Sequence, residues 1–261
     1  MRRLGRRLAV ALALPLALLG LWLALALLGW PGPRLMPAPA AVARLAAHEL
    51  THAALWRDVG ATLARVVVGV GVASALGAGL GFALGRSRRW RTASEPSIDF
   101  LRSIPPILTF PLFLLGLGYG ERARLATVVF GCAGIVLLHV AAALAAAPRE
   151  RAEAVRLMGL GRLATARHLE LPEALPGLIL GVRIALATGL VIVIVTELLI
   201  GAPHGLGVRA REAQIAYQPA QLWLVIALSG ALGAALSGLL AALGRRLTPW
   251  CAAPSSAPRS T

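Results

Sequence analysis

Lysine is absent from this chain: all 26 basic residues among its 261 are arginine. A phosphate-cradling G-x-x-x-x-G-K-[ST] loop cannot exist without lysine, so the chain carries no P-loop nucleotide site of its own. Charge is scarce altogether, at 14% of residues, where a soluble domain carries about 25%. The two cysteines, Cys132 and Cys251, stand far apart with no C-x-x-C, and support neither a disulfide framework nor a metal site.

What is present is apolar. Hydrophobic residues make up 58% of the chain and mean hydropathy is +0.77, values that point to an integral membrane protein. The formal net charge of +15 invites a nucleic-acid reading. The arginines cluster between apolar blocks, however, which suits a membrane topology better than a nucleic-acid surface.

Uncharged runs mark six expected spans: residues 8–33, 66–85, a shorter 103–120, 125–148, 177–200 and 213–244. Each is near or above the ~18–20 residues that a spanning helix needs. Arg183 and Glu197 interrupt the fifth. With the N-terminus placed inside, the inside loops hold sixteen arginines and the outside loops seven; Arg65, Arg102 and Arg183 lie at helix ends. The positive-inside rule then puts both termini in the cytoplasm. "MRRLGRR" and the small "APA" at 38–40 resemble parts of a signal peptide. The apolar run between them exceeds the ~7–15 residues of a cleaved one, so a retained signal anchor is expected.

His48, Glu49 and His52 spell H-E-x-x-H, in which two imidazoles bind zinc and the glutamate acts as general base. The extension that would supply a third histidine is missing after His52, and the segment is a short stretch between two spans. A membrane-anchored zinc metalloprotease is therefore the alternative reading. The preferred one is a short amphipathic helix leading into the second span, with His48 and His52 sharing a polar face.

The loop "RERAEAVRLMGLGRLATARHLELPEALPG", residues 149–177, is rich in helix formers, broken by Gly159 and Gly161 and closed by Pro172 and Pro176. Two short helices joined at a glycine turn are expected. A structured loop of this length suits the docking of a partner, or a helix lying on the bilayer surface through its arginines.

Glu153-Ala154-Val155, Gly159 and Leu169-Glu170-Leu171-Pro172 resemble the EAA motif of ABC-transporter permeases, E-A-A-x3-G-x9-I-x-L-P. Val155 replaces the second alanine and Leu169 the isoleucine. The resemblance runs over residues 35–250 and is closest to the taurine, sulfonate and nitrate branch. "LMPAPAAV" is similar to the branch's L-P-S-P-x-x-V, and "DVGATLARVVVG" to its T-L-x-R-V-x-x-G, with Arg65 and Gly69 in register. "LRSIPPILTFPLFLLGLGYGE" and "GVRIALATGLVIVIVTELLIGAPHGLG" follow its L-R-x-I-P and A-E…G-L-G patterns, with Thr109 for the usual alanine and Glu197 aligned. "LLHVAAALAAAPRER" departs from it, lacking the usual Asn-Thr.

The resemblance implies an all-α integral membrane protein of about six transmembrane helices, with the type I ABC importer permease fold and a coupling-helix loop. The implied organisation is an N-terminal helix and external segment at 1–58, a permease core at 59–248 and a tail at 249–261. It also implies a transporter subunit without enzymatic activity, catalytic residue, metal or cofactor; ATP and magnesium would bind to a partner ATPase. That ATPase would couple through Glu153, Ala154, Val155, Gly159, Leu171 and Pro172. The implied partners are a cytoplasmic ATPase dimer, a second copy of the permease, an external solute-binding protein and membrane lipid, in a bacterial inner membrane, with no nucleic acid. The solute would be a small anion such as a sulfonate, taurine or nitrate, or a vitamin precursor.

Physical arguments give the translocation path its candidates. Pro105, Pro106 and Pro111 interrupt helical bonding in the third span, and irregular backbone at that depth is tolerated when buried in protein or lining a watery path. Glu197 is an ionisable group within a span, functional by default or else snorkelling to the interface. Arg183 reads as an inside-edge anchor. Gly69, Gly71, Gly77, Gly81 and Gly85 form a small-residue series that lets helices approach.

Overall fold

In the computed structural model, which describes residues 2–30, 32 and 35–251, all regular structure among the described residues is helical. The order is α1 (Arg2–Leu27), α2 (Pro39–Glu49), α3 (Ala53–Gly85), α4 (Arg88–Ser103), α5 (Pro106–Leu117) and α6 (Glu121–Ala145). Then come α7 (Arg149–Leu157), α8 (Arg162–Thr165), a π-turn at Ala166–Glu170, α9 (Leu171–Ile200), α10 (Leu206–Ile215), α11 (Pro219–Leu247) and a last turn at Pro249–Cys251. The tail expected at 249–261 lies outside the described residues from position 252 onward.

The core is the three-helix contact of α3, α6 and α9. Val66, Val70 and Ala73 of α3 meet Val128, Cys132, Val136 and Val140 of α6, with Ala185, Leu190 and Val193 of α9 closing the third side. Four of the five expected glycines make this closeness possible. A β-carbon on Gly69, Gly77, Gly81 or Gly85 would stand 2.5–2.9 Å from an atom of α6; Gly71 points into open space. Apolar burial supplies the attraction in the enclosed positions, and close backbone approach supplies it where neighbours are lipid. Outward faces stay apolar: Val68, Val72, Leu76 and Leu80 of α3 are all about half exposed.

Four helices, α3, α6, α9 and α11, are long and apolar enough to cross a membrane, and α4 with α5 forms a bent pair that counts as a fifth. α1, 26 residues long, stands where the first span was expected. A stacked pair of indoles, Trp22 on α1 and Trp223 on α11, joins it to the bundle at a centroid distance of 4.7 Å.

Three expectations need correction. The third span is not residues 103–120. It begins at Arg88, bends by 86° between α4 and α5, and ends at Leu117. Proline cannot donate to a helix and pushes the residue before it into extended backbone, so Ile104 (ψ 117°) and Pro105 (ψ 122°) leave the helical region. The fifth span starts earlier than expected: α8, the π-turn and α9 are continuous, so the apolar helix runs from Leu163 to Ile200, with Pro172 in the first turn of α9. Pro172 therefore lies within this helix rather than closing the loop. Finally, residues 46–56 are not one helix. α2 ends at Glu49 and α3 begins at Ala53, with His52 as its extended N-cap. Thr51 Oγ1 donates to the His48 carbonyl at 2.6 Å, a local bond that competes with helix continuation.

Candidate functional site

The loop expected between the fourth and fifth spans is ordered into α7, a glycine turn, α8 and the π-turn that runs into α9. Its turn is a left-handed helix cap. Gly159 has φ +67° and Leu160 N–H reaches back to the Val155 carbonyl at 3.4 Å, the six-to-one bond of a Schellman motif. No atom lies within 4 Å of where a Gly159 β-carbon would be, so the backbone conformation alone demands glycine there. Glu153 and Ala154 are exposed and Val155 half-buried; Leu171 and Pro172 are the first residues of α9.

Two ion pairs tie this loop to the bundle. Arg151 of α7 contacts Glu173 of α9, and Arg86, just after α3, holds Glu170 of the π-turn at 2.6 Å. Between the tethers, Leu157, Met158 and Leu163 project outward at 89, 72 and 85% exposure. An apolar knuckle of this kind on an otherwise charged loop is a surface made to be covered.

At the bend, Pro105 is the N-cap of α5 and Pro106 its first residue, so of the three expected path prolines Pro111 is the one in a helix interior. Pro106 packs on Gly131 of α6, where a β-carbon would come within 2.8 Å of the proline ring. A cavity of about 430 Å³ opens beside this contact, bounded by α4, α5, α6, Leu80 of α3 and Thr188 of α9.

At the end of the bundle opposite the loop, Glu197 is fully buried and completely bonded. Its carboxylate accepts from Thr62 Oγ1 (2.9 and 3.0 Å), Arg65 Nη1 (2.7 Å) and the Gly207 N–H (2.9 Å). Gly207 is in the first turn of α10, so the acid caps a helix N-terminus, where a negative charge is favoured. The glycines of "GLG" are there for space. A β-carbon on Gly205 would stand 2.4 Å from the Glu197 carboxyl carbon, and one on Gly207 would meet the Ile194 carbonyl. Thr62 Oγ1 also accepts the Leu206 N–H at 2.9 Å.

The network spreads from there. Besides its bond to Glu197, Arg65 makes two parallel 2.8 Å bonds to Glu121 and one to the His204 carbonyl. Arg124, 3% exposed, holds Glu121 at 3.0 Å and the Gly201 carbonyl. Arg209 of α10 binds Asp58 at 2.5 Å and Glu49 at 2.6 Å. Burial works to lower the Arg209 pKa, and its bonds to Asp58 and Glu49 outweigh that and leave it raised. Glu197 thus does not snorkel; it is the centre of a closed node that fastens α3, α6, α9 and α10 together.

Glu49, the general base of the zinc reading, is committed to Arg209. His48 and His52 meet edge to face at 4.3 Å, and among the described residues no group of three or more His, Cys, Asp or Glu could hold a metal ion. The sequence reading missed Thr62, Asp58 and Arg124 as members of the node. Their signal was topological: Arg65, Glu121, Arg124 and Glu197 all fall near span ends that alternation brings to one side.

The profile of a family described as the inner membrane component of binding-protein-dependent transport systems matches residues 73–249. A probable ABC transporter permease protein of Brucella melitensis biotype 1 is 30% identical, over 84% of this chain and 89% of its own. The taurine transport system permease protein TauC of Escherichia coli K12 is 28% identical, over 95% of this chain and 91% of its own. Among solved structures, the MetNI methionine ABC transporter in an inward-facing conformation superposes with a TM-score of 0.66 at 28% identity. That match covers 74% of this chain and 96% of the MetNI chain.

Proposed function

This chain belongs to the family of binding-protein-dependent transport system inner membrane components, and we propose that it carries a small anion across the membrane while its 149–172 loop receives work from a separate ATPase. It is a multi-pass permease of the ABC importer class, in the branch that includes taurine permeases, and has no enzymatic activity of its own.

The observation that carries the coupling role is the tethered apolar knuckle. Leu157, Met158 and Leu163 are presented by a turn that only Gly159 can make, and the Arg151–Glu173 and Arg86–Glu170 pairs fix that turn to α9 and α3. A covering partner that moves the knuckle therefore moves two spans. In this reading the partner is a cytoplasmic ATPase dimer that holds the ATP and magnesium. The loop end and both termini face the cytoplasm of a bacterium, a second copy of the chain completes the path, and an external solute-binding protein delivers to the opposite end. The anion follows from the branch: TauC is named for taurine, which carries a sulfonate.

The test uses the chain assembled with its ATPase in proteoliposomes. Gly159→Val forces a β-branched residue to φ +67°, at a cost of about 1–2 kcal/mol in the turn. Glu153→Ala removes the exposed acid. Each is expected to lower ATP-driven uptake at least tenfold and to abolish stimulation of the ATPase by the loaded binding protein. Normal uptake and stimulation in both variants overturns the coupling role.

A further inference from the structure

We infer that Arg102 is a solute-selecting residue: its side chain, on the wall of the cavity at the α4–α5 bend, holds the oxyanion head of a small organic solute as it passes. The inference deepens the anion reading above and rests on it.

Position is the first argument. Arg102 lies in the last turn of α4, and its side chain runs along Gly134, where a β-carbon would stand 3.3 Å from Arg102 Cγ. Gly134 is close to the middle of α6, roughly 16–20 Å from either end at 1.5 Å per residue. The charge is therefore held at mid-depth in the bundle. A cation there costs about 2.5–3.5 kcal/mol against hydrocarbon, so it is found facing a wet cavity or a partner.

Partnership is the second. The node at the opposite end engages Arg65, Arg124 and Arg209 with carboxylates at 3.0 Å or less. Arg102 has Asp99 at 3.6 Å, one turn back on α4, and both side chains are half exposed or more. A loose pair of that kind contributes little and leaves the fork of N–H donors available.

The cavity is the third. Its volume of about 430 Å³ falls within the ~300–1,000 Å³ of small-molecule sites. Its walls are apolar apart from Arg102 and the Thr188 hydroxyl, with Pro106, Phe130, Gly131 and Gly134 around them. One planar cation and one hydroxyl in an apolar hollow suit an oxyanion on a short carbon chain, because guanidinium binds such groups by paired N–H bonds. The Ile104–Pro105 break ends α4 there and keeps the backbone from continuing past the guanidinium.

The experiment has two arms, both on the chain assembled with its ATPase. In a Cys132→Ala, Cys251→Ser background, Thr188→Cys is modified with two thiosulfonate reagents of similar size, one ending in a sulfonate and one in a trimethylammonium. The anionic-to-cationic rate ratio is expected to fall at least fivefold when Arg102→Gln is added and to persist with Arg102→Lys. Gly134→Val, which leaves the charge but crowds the floor, should slow both reagents alike. A ratio unchanged within twofold in Arg102→Gln, with the complex eluting as wild type, overturns the inference. The second arm measures uptake of labelled taurine, ethanesulfonate and bicarbonate. Uptake of any of these falling at least tenfold in Arg102→Gln, with partial recovery in Arg102→Lys, supports the role; undiminished uptake refutes it. If wild type takes up none of the three while the reagent ratio still depends on Arg102, the anion-transport reading fails and the anion-selective cavity stands.

Discussion

Thr62→Val isolates the closed node at the buried end of α9. Valine has threonine's shape, so no cavity opens and only hydrogen bonding changes. The hydroxyl donates to the Glu197 carboxylate and accepts the Leu206 N–H, all in a fully buried position. Losing a bond to a charged acceptor costs about 1.5–3 kcal/mol, and leaving the Leu206 N–H enclosed without an acceptor costs a further ~1–3 kcal/mol. Glu197 keeps Arg65 and Gly207, which favours the lower half of the total, roughly 3–4 kcal/mol. At about 2–4 °C per kcal/mol for a chain of this size, the melting temperature should fall by roughly 6–16 °C. The assay is fluorescence-detected size exclusion after heating the detergent-solubilised protein. Thr62→Ser keeps the hydroxyl and loses one methyl, worth about 0.8 kcal/mol, so it should fall by only about 2–3 °C. The reasoning is refuted if Thr62→Val melts within about 2 °C of wild type, or if the serine variant falls as far as the valine one.

The helix contacts and the histidine segment yield two more tests. Gly81→Val drives a side chain to within 2.5 Å of the Leu137 carbonyl and should reduce the yield of monodisperse protein severalfold, whereas Gly71→Ala, with nothing within 4 Å, should be silent in the same chromatographic assay. Glu49→Gln weakens the tie to Arg209 by about 2 kcal/mol. It should lower the melting temperature by roughly 4–8 °C, while elemental analysis finds zinc far below one per chain in wild type and variant alike. Stoichiometric zinc that disappears in His48→Ala would revive the metalloprotease.

Where the sequence encodes backbone, it could be read directly. Gly159 marked the helix stop because a left-handed cap tolerates little else, and Pro105–Pro106 marked the break because proline cannot continue a helix. What escaped is what depends on distant chain segments. α4 carries "RRWRTASEPSIDFLRS", with no apolar stretch to announce a span. Its Arg91, Glu95 and Arg102 line cavities against α6, and none of its residues is buried. His48 and His52 have helical spacing, yet the Thr51 side chain and a Trp56 Nε1 bond to the Leu50 carbonyl at 2.9 Å stabilise a turn between them. Asp58, Thr62 and Arg65 stand just before the expected second span at 66–85. Their acceptors and donors lie more than 50 residues away, at Glu121, Glu197, Leu206 and Arg209, and no local pattern announces such pairs.

α9 connects the two ends of this arrangement. Glu173, tied to α7, and Glu197, at the centre of the node, stand on one helix, about 36 Å apart at 1.5 Å per residue. Its interior proline, Pro176, lies only five residues from its start, so any bend is concentrated next to the loop. Beyond that point the helix moves as a rod. At the far end it is bonded to α3 through Thr62 and Arg65 and to α10 through Gly207, so it cannot shift there without carrying its neighbours. α4 and α5 are held less tightly: at Ile104–Pro105 the prolines remove N–H donors, and the backbone bonds there are the Ile104 N–H to the Leu101 carbonyl at 3.3 Å and the Leu108 N–H to the Pro105 carbonyl at 3.0 Å, neither of which spans the break. Under the coupling reading, work delivered at Gly159 therefore meets a stiff rod and a locked node, and the joint that yields is the one beside Arg102.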